Sequence, residues 1–404
     1  MAKKFWFLII FAYLVTRLIN LMALPIFNDE VFFIWAGRRI VSNPVKNIFL
    51  NFSDGKEPLF FWLYSLPVKL FPDPLLGIRL FTIVLGLASL IYFLRISQKL
   101  KLNVFLAGLA FIVNPFILFY ERIGMQETLL TFLLLAGSYY LLINKKILTG
   151  LFLGLALLTK TSALALIVFT VPFFLIKKNY LTLLVMILIY LPIIFGLTNV
   201  TAHNSGYIGL INWQQILANF KQVISWSADY LGWPMTVVGF PALLPAFLEG
   251  AIAKIFFPRY FLFCAPFVIL LSAWLLRKLN WLFLLILIPN LILSFQIVSN
   301  IPSAPLPAIE RWQYLESWPS GYGIREVAEF LKEQNAQKIV VEDIMITRYG
   351  LPYYYSGGSY QVGGIGDWYV FTRQQEAPAD KSLILRFSIP KTGIKERISV
   401  WSTQ

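Results

Sequence analysis

The chain is poor in three things that soluble enzymes use freely. It has one cysteine, Cys264, one histidine, His203, and only 13% charged residues. A single cysteine excludes any disulfide within the chain. A single histidine excludes a histidine-rich metal site, although a carboxylate site stays open. Soluble globular chains carry about 25% charged residues; at half that share, water is not the main solvent. A basic patch on a polar domain is also missing. Past Ile297 there are 11 Lys+Arg against 11 Asp+Glu, so the formal net charge of +14 lies wholly in the apolar part. Nucleic acid is therefore not an expected partner.

What the chain does have is apolar surface: 58% hydrophobic residues, 17% aromatic, mean hydropathy +0.71. A bilayer-spanning helix needs about 20 mostly apolar residues. Apolar runs cover residues 5–24, 75–94, 102–120, 128–143, 147–158, 163–176, 180–197, 235–248, 260–276 and 281–296. The first follows Lys3-Lys4 but is too long for a signal-peptide core and lacks a cleavage site, so it reads as an uncleaved first helix. Only about 30 residues separate Lys146 from Lys177, so two short helices must form a hairpin with Thr159-Lys160-Thr161-Ser162 at its tip. Run 235–248 is flanked and broken by Pro234, Pro241 and Pro245, and reads as re-entrant or interfacial.

The charges orient these runs. Arg95, Lys99, Lys101, Lys145, Lys146, Lys177, Lys178, Arg277 and Lys278 fall in one set of short connections, with no Asp or Glu among them. By the positive-inside rule that side, with the N-terminus, is cytoplasmic. The acids Asp29, Glu30, Asp54, Glu57, Asp73, Glu121, Glu127, Asp229 and Glu249 all fall toward the opposite side. The outer loop 25–74 carries two amphipathic stretches, 31–40 and 59–71, expected to lie along the membrane surface. From about residue 300 the material changes: 323–334 has helical spacing, and 338–341, 368–372 and 383–387 read as strands. The expected architecture is a polytopic α-helical bundle, residues 1–299, of about nine spans plus a re-entrant or interfacial segment. A small α/β extracytoplasmic domain, 300–404, follows it.

Charged side chains near a bilayer are costly and tend to be functional. Asn28-Asp29-Glu30 could supply a general base and a positioning group, or simply start a helix. Lys56, beside Glu57, could neutralise a phosphate or be an ordinary interfacial lysine. The turn Tyr120–Glu127 packs Arg122 between Glu121 and Glu127, as a site or as a solvated turn. Lys160, far from the cytoplasmic side, calls for an anionic partner, and Arg17 inside the first helix calls for an acid. Arg259-Tyr260 stands at the outer end of a helix, where Arg259 could also snorkel. Several carboxylates and several cations on one face suit a sugar bonded to a phosphate: cations hold the leaving phosphate and a carboxylate takes the acceptor's proton.

The order of these motifs resembles the lipid-linked-sugar glycosyltransferases of the GT-C fold, within the protein O-mannosyltransferase and aminoarabinose-transferase superfamily. The resembling residues are Arg17 in the first helix, then Asp29-Glu30, Lys56-Glu57-Pro58-Leu59-Phe60-Phe61-Trp62 and Arg79-Leu80. Next come Tyr120-Glu121-Arg122 with Glu127, Gly154-Leu155-Ala156-Leu157-Leu158-Thr159-Lys160, and Arg259-Tyr260. The series covers about residues 5–276, and the tail with Trp318-Pro319-Ser320-Gly321-Tyr322-Gly323 fits members with a C-terminal soluble domain. Glu57 stands where the family has proline, Glu127 where it has aspartate, and Gly55 where some members have glutamate.

The resemblance implies an inverting transfer from a polyprenyl-phosphate sugar to an acceptor hydroxyl at the outer face of the plasma membrane. Asp29 would be the base, with Glu30 and Glu127 as further catalytic acids. Lys56, Arg122, Lys160 and Arg259 would hold the donor phosphate, with Arg79 and Tyr260 in the substrate site. No metal ligand is assigned, and a need for a divalent cation is left open. The partners are the donor lipid, the bilayer, and a protein, lipid or glycan acceptor. Two other readings compete: a transporter or flippase of a lipid-linked sugar, and a non-catalytic glycolipid-binding assembly protein. Transporters often carry internal repeats, and none is evident.

Overall fold

Apolar runs become helices, and capping residues decide where each one ends. The computed structural model describes residues 2–374, 382–391 and 397–403. These divide into two compact units: Met1–Leu21 with Ala36–Asn300, and Met22–Trp35 with Ile301–Gln404. The second unit thus takes the stretch 22–35 together with the C-terminal region, a different division from a cut near residue 300.

In the first unit, three turns share one construction. The helices Pro74–Lys99, Gln126–Leu142 and Ala163–Ile176 each stop at a residue with positive φ: Lys101 (56°), Asn144 (56°) and Lys178 (51°). At each stop two backbone N–H groups fold back onto the last turn, as in Leu102 N to Ser97 O at 3.0 Å and Lys101 N to Gln98 O at 3.1 Å. This left-handed cap satisfies carbonyls that the helix leaves unpaired. Asparagines do the same work at helix starts: the side chains of Asn103, Asn114 and Asn212 accept from Leu106, Ile117 and Gln215 N–H groups.

Asn114 also breaks a run. Residues 102–120 read as one span, yet Val104–Ile112 and Pro115–Glu121 are separate helices bent by 57°. Asn114 caps the second of them and Pro115 opens it, a pairing that starts a helix and cannot continue one. The first helix, Ala2–Leu18, is likewise shorter than its apolar run, and Asn20 just beyond it has φ 53°. Run 235–248 is divided among Trp233–Val238, Phe240–Leu243 and Leu244–Ile252, with a proline in the first turn of each piece. Among the described residues, three helices are long and apolar enough to cross a membrane, or four if the bent pair is one span. Shorter apolar helices among the described residues are Trp6–Leu18, Lys146–Leu157, Ala163–Ile176, Phe240–Ile252 and Cys264–Leu275; the second and third are the two short helices expected on either side of Lys160.

Lys146–Leu157 packs between Gln126–Leu142 and Tyr180–Tyr190. Two glycines on it permit the approach: a Cβ at Gly150 would stand 2.5 Å from the Thr182 carbonyl, and one at Gly154 2.8 Å from that of Met186. Without a hydrophobic drive between helices in lipid, such close contact is the main source of association.

The second unit is built on a five-stranded sheet in the order β2-β1-β3-β5-β4. β1 (Lys338–Val341) pairs in parallel with β2 (Ser359–Val362) and β3 (Trp368–Gln374), while β5 (Arg397–Thr403) runs antiparallel to β3 and to β4 (Leu383–Pro390). The helix Ile324–Glu333 buries Ile324, Val327, Ala328 and Leu331, the face its spacing predicts.

Candidate active site

Within the first unit, segments far apart in sequence meet around Lys160. The outer loop folds as a 3-10 turn, Leu50–Asp54, closed by Gly55 at φ 64°. A side chain at Gly55 would also run into the His203 ring, its Cβ 2.5 Å from the ring's Cγ. Lys56 follows, half-buried and paired with Asp54. Leu59 N then donates to the Leu158 carbonyl at 3.0 Å, which stitches this loop to the end of the hairpin. Glu57 accepts from the Thr161 hydroxyl, and Asn204 donates to the same hydroxyl at 3.3 Å. Burial pushes the Glu57 carboxyl above the usual carboxylate range, against the opposing pull of Thr161, Lys160 and Lys56.

Lys160 leaves the hairpin tip as a buried ammonium, 2.5 Å from Oε1 of Glu127. Arg259 approaches the same oxygen at 3.8 Å. The ring of Tyr260 lies beneath the lysine, 4.5 Å from its Nζ, with the Arg259 guanidinium 5.9 Å from the ring centre. Glu249 adds a carboxylate that feels the charges of Lys160 and Glu127 and lies within reach of the Ser162 hydroxyl. The sequence marks Glu249 only as one more acid of the outer side; its place depends on how the broken stretch 233–252 folds back. Lys56, Glu57, Glu127, Lys160, Arg259 and Tyr260 are thus brought together. Among the described residues, no three or more His, Cys, Asp or Glu are grouped as a metal cage.

Arg79 and Arg122 serve a different place. Arg122 donates to the carbonyls of Thr16, Arg17, Ile19 and Asn20 at 2.7–3.2 Å. Arg79 donates to Leu21 O at 3.1 Å. Arg122 thus sits on the C-terminal carbonyls of the first helix, where a cation is favoured, and Arg79 meets the turn that follows it. Arg17 finds the acid that its depth requires: its Nε meets Glu121 at 2.8 Å, with both side chains buried. The turn 120–127 therefore serves two masters. Glu121 and Arg122 hold the first helix, and Glu127 faces Lys160.

In the second unit, Asp29 and Glu30 stand in the first turn of the helix Asn28–Ser42, where the helix dipole favours carboxylates. Their environments differ. Glu30 is fully buried and its Oε2 accepts from Phe27 N at 2.9 Å. Asp29 is half-buried. The loop 314–321 fixes this helix start. Asn28 N donates to Pro319 O at 3.1 Å, and the Phe27 and Tyr314 rings lie 4.4 Å apart. Gly321 packs so tightly that a Cβ there would sit 2.0 Å from the Ile26 carbonyl oxygen. Lys391, itself buried, donates to the carbonyls of Ser317 and Ser320 at 2.9 and 3.0 Å and braces the loop. Gly321 lies in the Trp318–Gly323 stretch that the resemblance marks, whereas Lys391 has no local signature because its partners lie 74 and 71 residues earlier.

No family model matches the sequence, and no curated protein matches it. Solved structures do. ArnT from Cupriavidus metallidurans in the apo state superposes with a TM-score of 0.60 at 13% identity, over 100% of this chain and 98% of that one. ArnT bound to undecaprenyl phosphate superposes at 0.59, again at 13% identity and the same coverage. The fold is the GT-C fold. Full coverage at both ends means that the GT-C likeness includes the C-terminal region as well as the helical part.

Proposed function

We propose that this GT-C protein transfers a sugar from a polyprenyl-phosphate donor to an acceptor hydroxyl, with inversion at the anomeric carbon. The observation that carries the reading is the buried meeting of Lys160, Arg259, Tyr260 and Glu127, with Lys56 and Glu57 stitched onto the hairpin tip beside them. Two or three cations over an aromatic face in a shielded site suit a phosphate on a lipid. The undecaprenyl phosphate bound in one ArnT structure supports the same ligand class.

In the reaction, the acceptor oxygen attacks the anomeric carbon, and the bond from that carbon to the phosphate oxygen breaks. The electron pair leaves with the phosphate, so the product is a polyprenyl phosphate monoester. Asp29 takes the acceptor's proton. Glu30 holds the helix start through the Phe27 N–H and keeps Asp29 in register. Lys56, Lys160 and Arg259 stabilise charge as it develops on the leaving phosphate, and Tyr260 supports Lys160. Arg79 and Arg122 anchor the first helix, from whose end the Asp29 segment emerges. The acid-rich side is the outer face of the plasma membrane, with the N-terminus cytoplasmic and the C-terminal domain extracytoplasmic.

Lys160→Ala tests the phosphate assignment. With a radiolabelled polyprenyl-phosphate sugar, the donor KM should rise about tenfold or more, the effect of losing a buried charge partner. An unchanged donor KM would remove Lys160 from the donor site.

A further inference from the structure

We infer that Glu127 is an internal stand-in for phosphate: it neutralises Lys160 and Arg259 while the site is empty and recaptures them to expel the lipid-phosphate product. The inference rests on the transferase reading above and assigns Glu127 to product release rather than to proton transfer.

Three observations lead there. First, both cations converge on one oxygen: Oε1 of Glu127 lies 2.5 Å from the Lys160 ammonium and 3.8 Å from the Arg259 guanidinium. An acid neutralised by two cations is a poor proton acceptor, so this placement does not suit a general base. Second, the other oxygen, Oε2, is buried and has no hydrogen-bond partner. Buried polar atoms normally find a hydrogen-bond partner, so an unsatisfied carboxylate oxygen beside two cations stands out. Third, Glu127 sits in the first turn of Gln126–Leu142, where the helix dipole tolerates a carboxylate without its cations. Glu127 therefore keeps part of its compensation from the helix dipole when Lys160 and Arg259 turn to a phosphate.

The charge change of the reaction supplies the need. The donor phosphate is a diester with one negative charge. The product is a monoester, which carries about −1.5 to −2 at neutral pH. Transfer therefore tightens the hold of the same cations on the lipid just when it must leave. In a shielded site each added charge counts far more than in water. A carboxylate that competes for both cations offsets this gain, and on release it takes back their charge.

Glu127→Gln keeps the shape and removes the competing charge. The affinity for polyprenyl phosphate, measured on the full-length protein in nanodiscs, should rise about tenfold. Multiple-turnover kcat should fall by a similar factor, with a burst of about one product per enzyme before the slow phase, because release of polyprenyl phosphate becomes the slow step. Glu127→Asp, which retains the charge, should keep product affinity within about threefold of wild type. Unchanged or weaker product binding by Glu127→Gln would overturn the inference. So would a fall in kcat without a burst, or a Glu127→Asp variant that binds product as tightly as Glu127→Gln. Wild-type protein that binds polyprenyl phosphate but never transfers the sugar would instead defeat the transferase reading.

Discussion

Glu127 in the first unit and Glu30 in the second are held in different ways. In the first unit Glu127 meets Lys160 and Arg259, as Asp54 meets Lys56 and, at the first helix, Glu121 meets Arg17. In the second unit Glu30 accepts from a backbone N–H and Glu342 from the N–H and hydroxyl of Thr372, while Glu316 and Asp343 pair with Arg311 and Arg348. An acid bound to a cation serves as a counter-charge, whereas an acid bound to backbone fixes the chain. On the reading proposed above, Glu127 serves the charge of the phosphate and Glu30 the placement of Asp29.

Three substitutions would break or sharpen this contrast. The largest effect is expected from Asp29→Asn, which should lower transfer by about a thousandfold, within the range for a lost general base, while membrane insertion is intact. Transfer at the wild-type rate would show that the second unit's acids are structural only. Arg17→Met should follow, because it leaves Glu121 buried without its cation. The expected loss is about 3–5 kcal/mol of stability, read by thermal unfolding in detergent, and Arg17→Met with Glu121→Met together should recover most of it. No recovery in the double variant would mean that the pair is not the unit of stability. Gly321→Ala should have the smallest effect, about a tenfold fall in kcat with donor KM within about twofold, since it disturbs posture and not phosphate binding. A raised donor KM would blur the division of tasks.

Much of the helical part was legible because lipid demands long apolar runs and tolerates charge only at their ends. Positions such as Lys160 and Arg17 could be singled out for the same reason, and the acid that Arg17 requires proves to be Glu121. The break at Asn114-Pro115 was equally written in the chain, but a run of apolar residues on both sides masks it. Strands β2 and β5 escape because Ser359–Val362 is short and mostly exposed, and Arg397–Thr403 buries a continuous run that includes Ser399 and Ser402 rather than one alternating apolar face. The role of Arg122 is the clearest case of tertiary context overriding a local pattern. Beside Glu121 and Glu127 it reads as part of a charged site, yet its guanidinium closes the end of a helix a hundred residues earlier in the chain. Gly321 falls in a stretch that the resemblance marks, yet the constraint on it, the Ile26 carbonyl, has no local signal.

The most direct measurement is the fate of a labelled sugar on polyprenyl phosphate, given to the purified protein in liposomes with candidate acceptors. A glycosyltransferase yields the sugar on an acceptor oxygen with inverted anomeric configuration, together with one polyprenyl phosphate per transfer. Label that crosses the bilayer still attached to its lipid, with no glycoside formed, would contradict the account and mark the protein as a transporter.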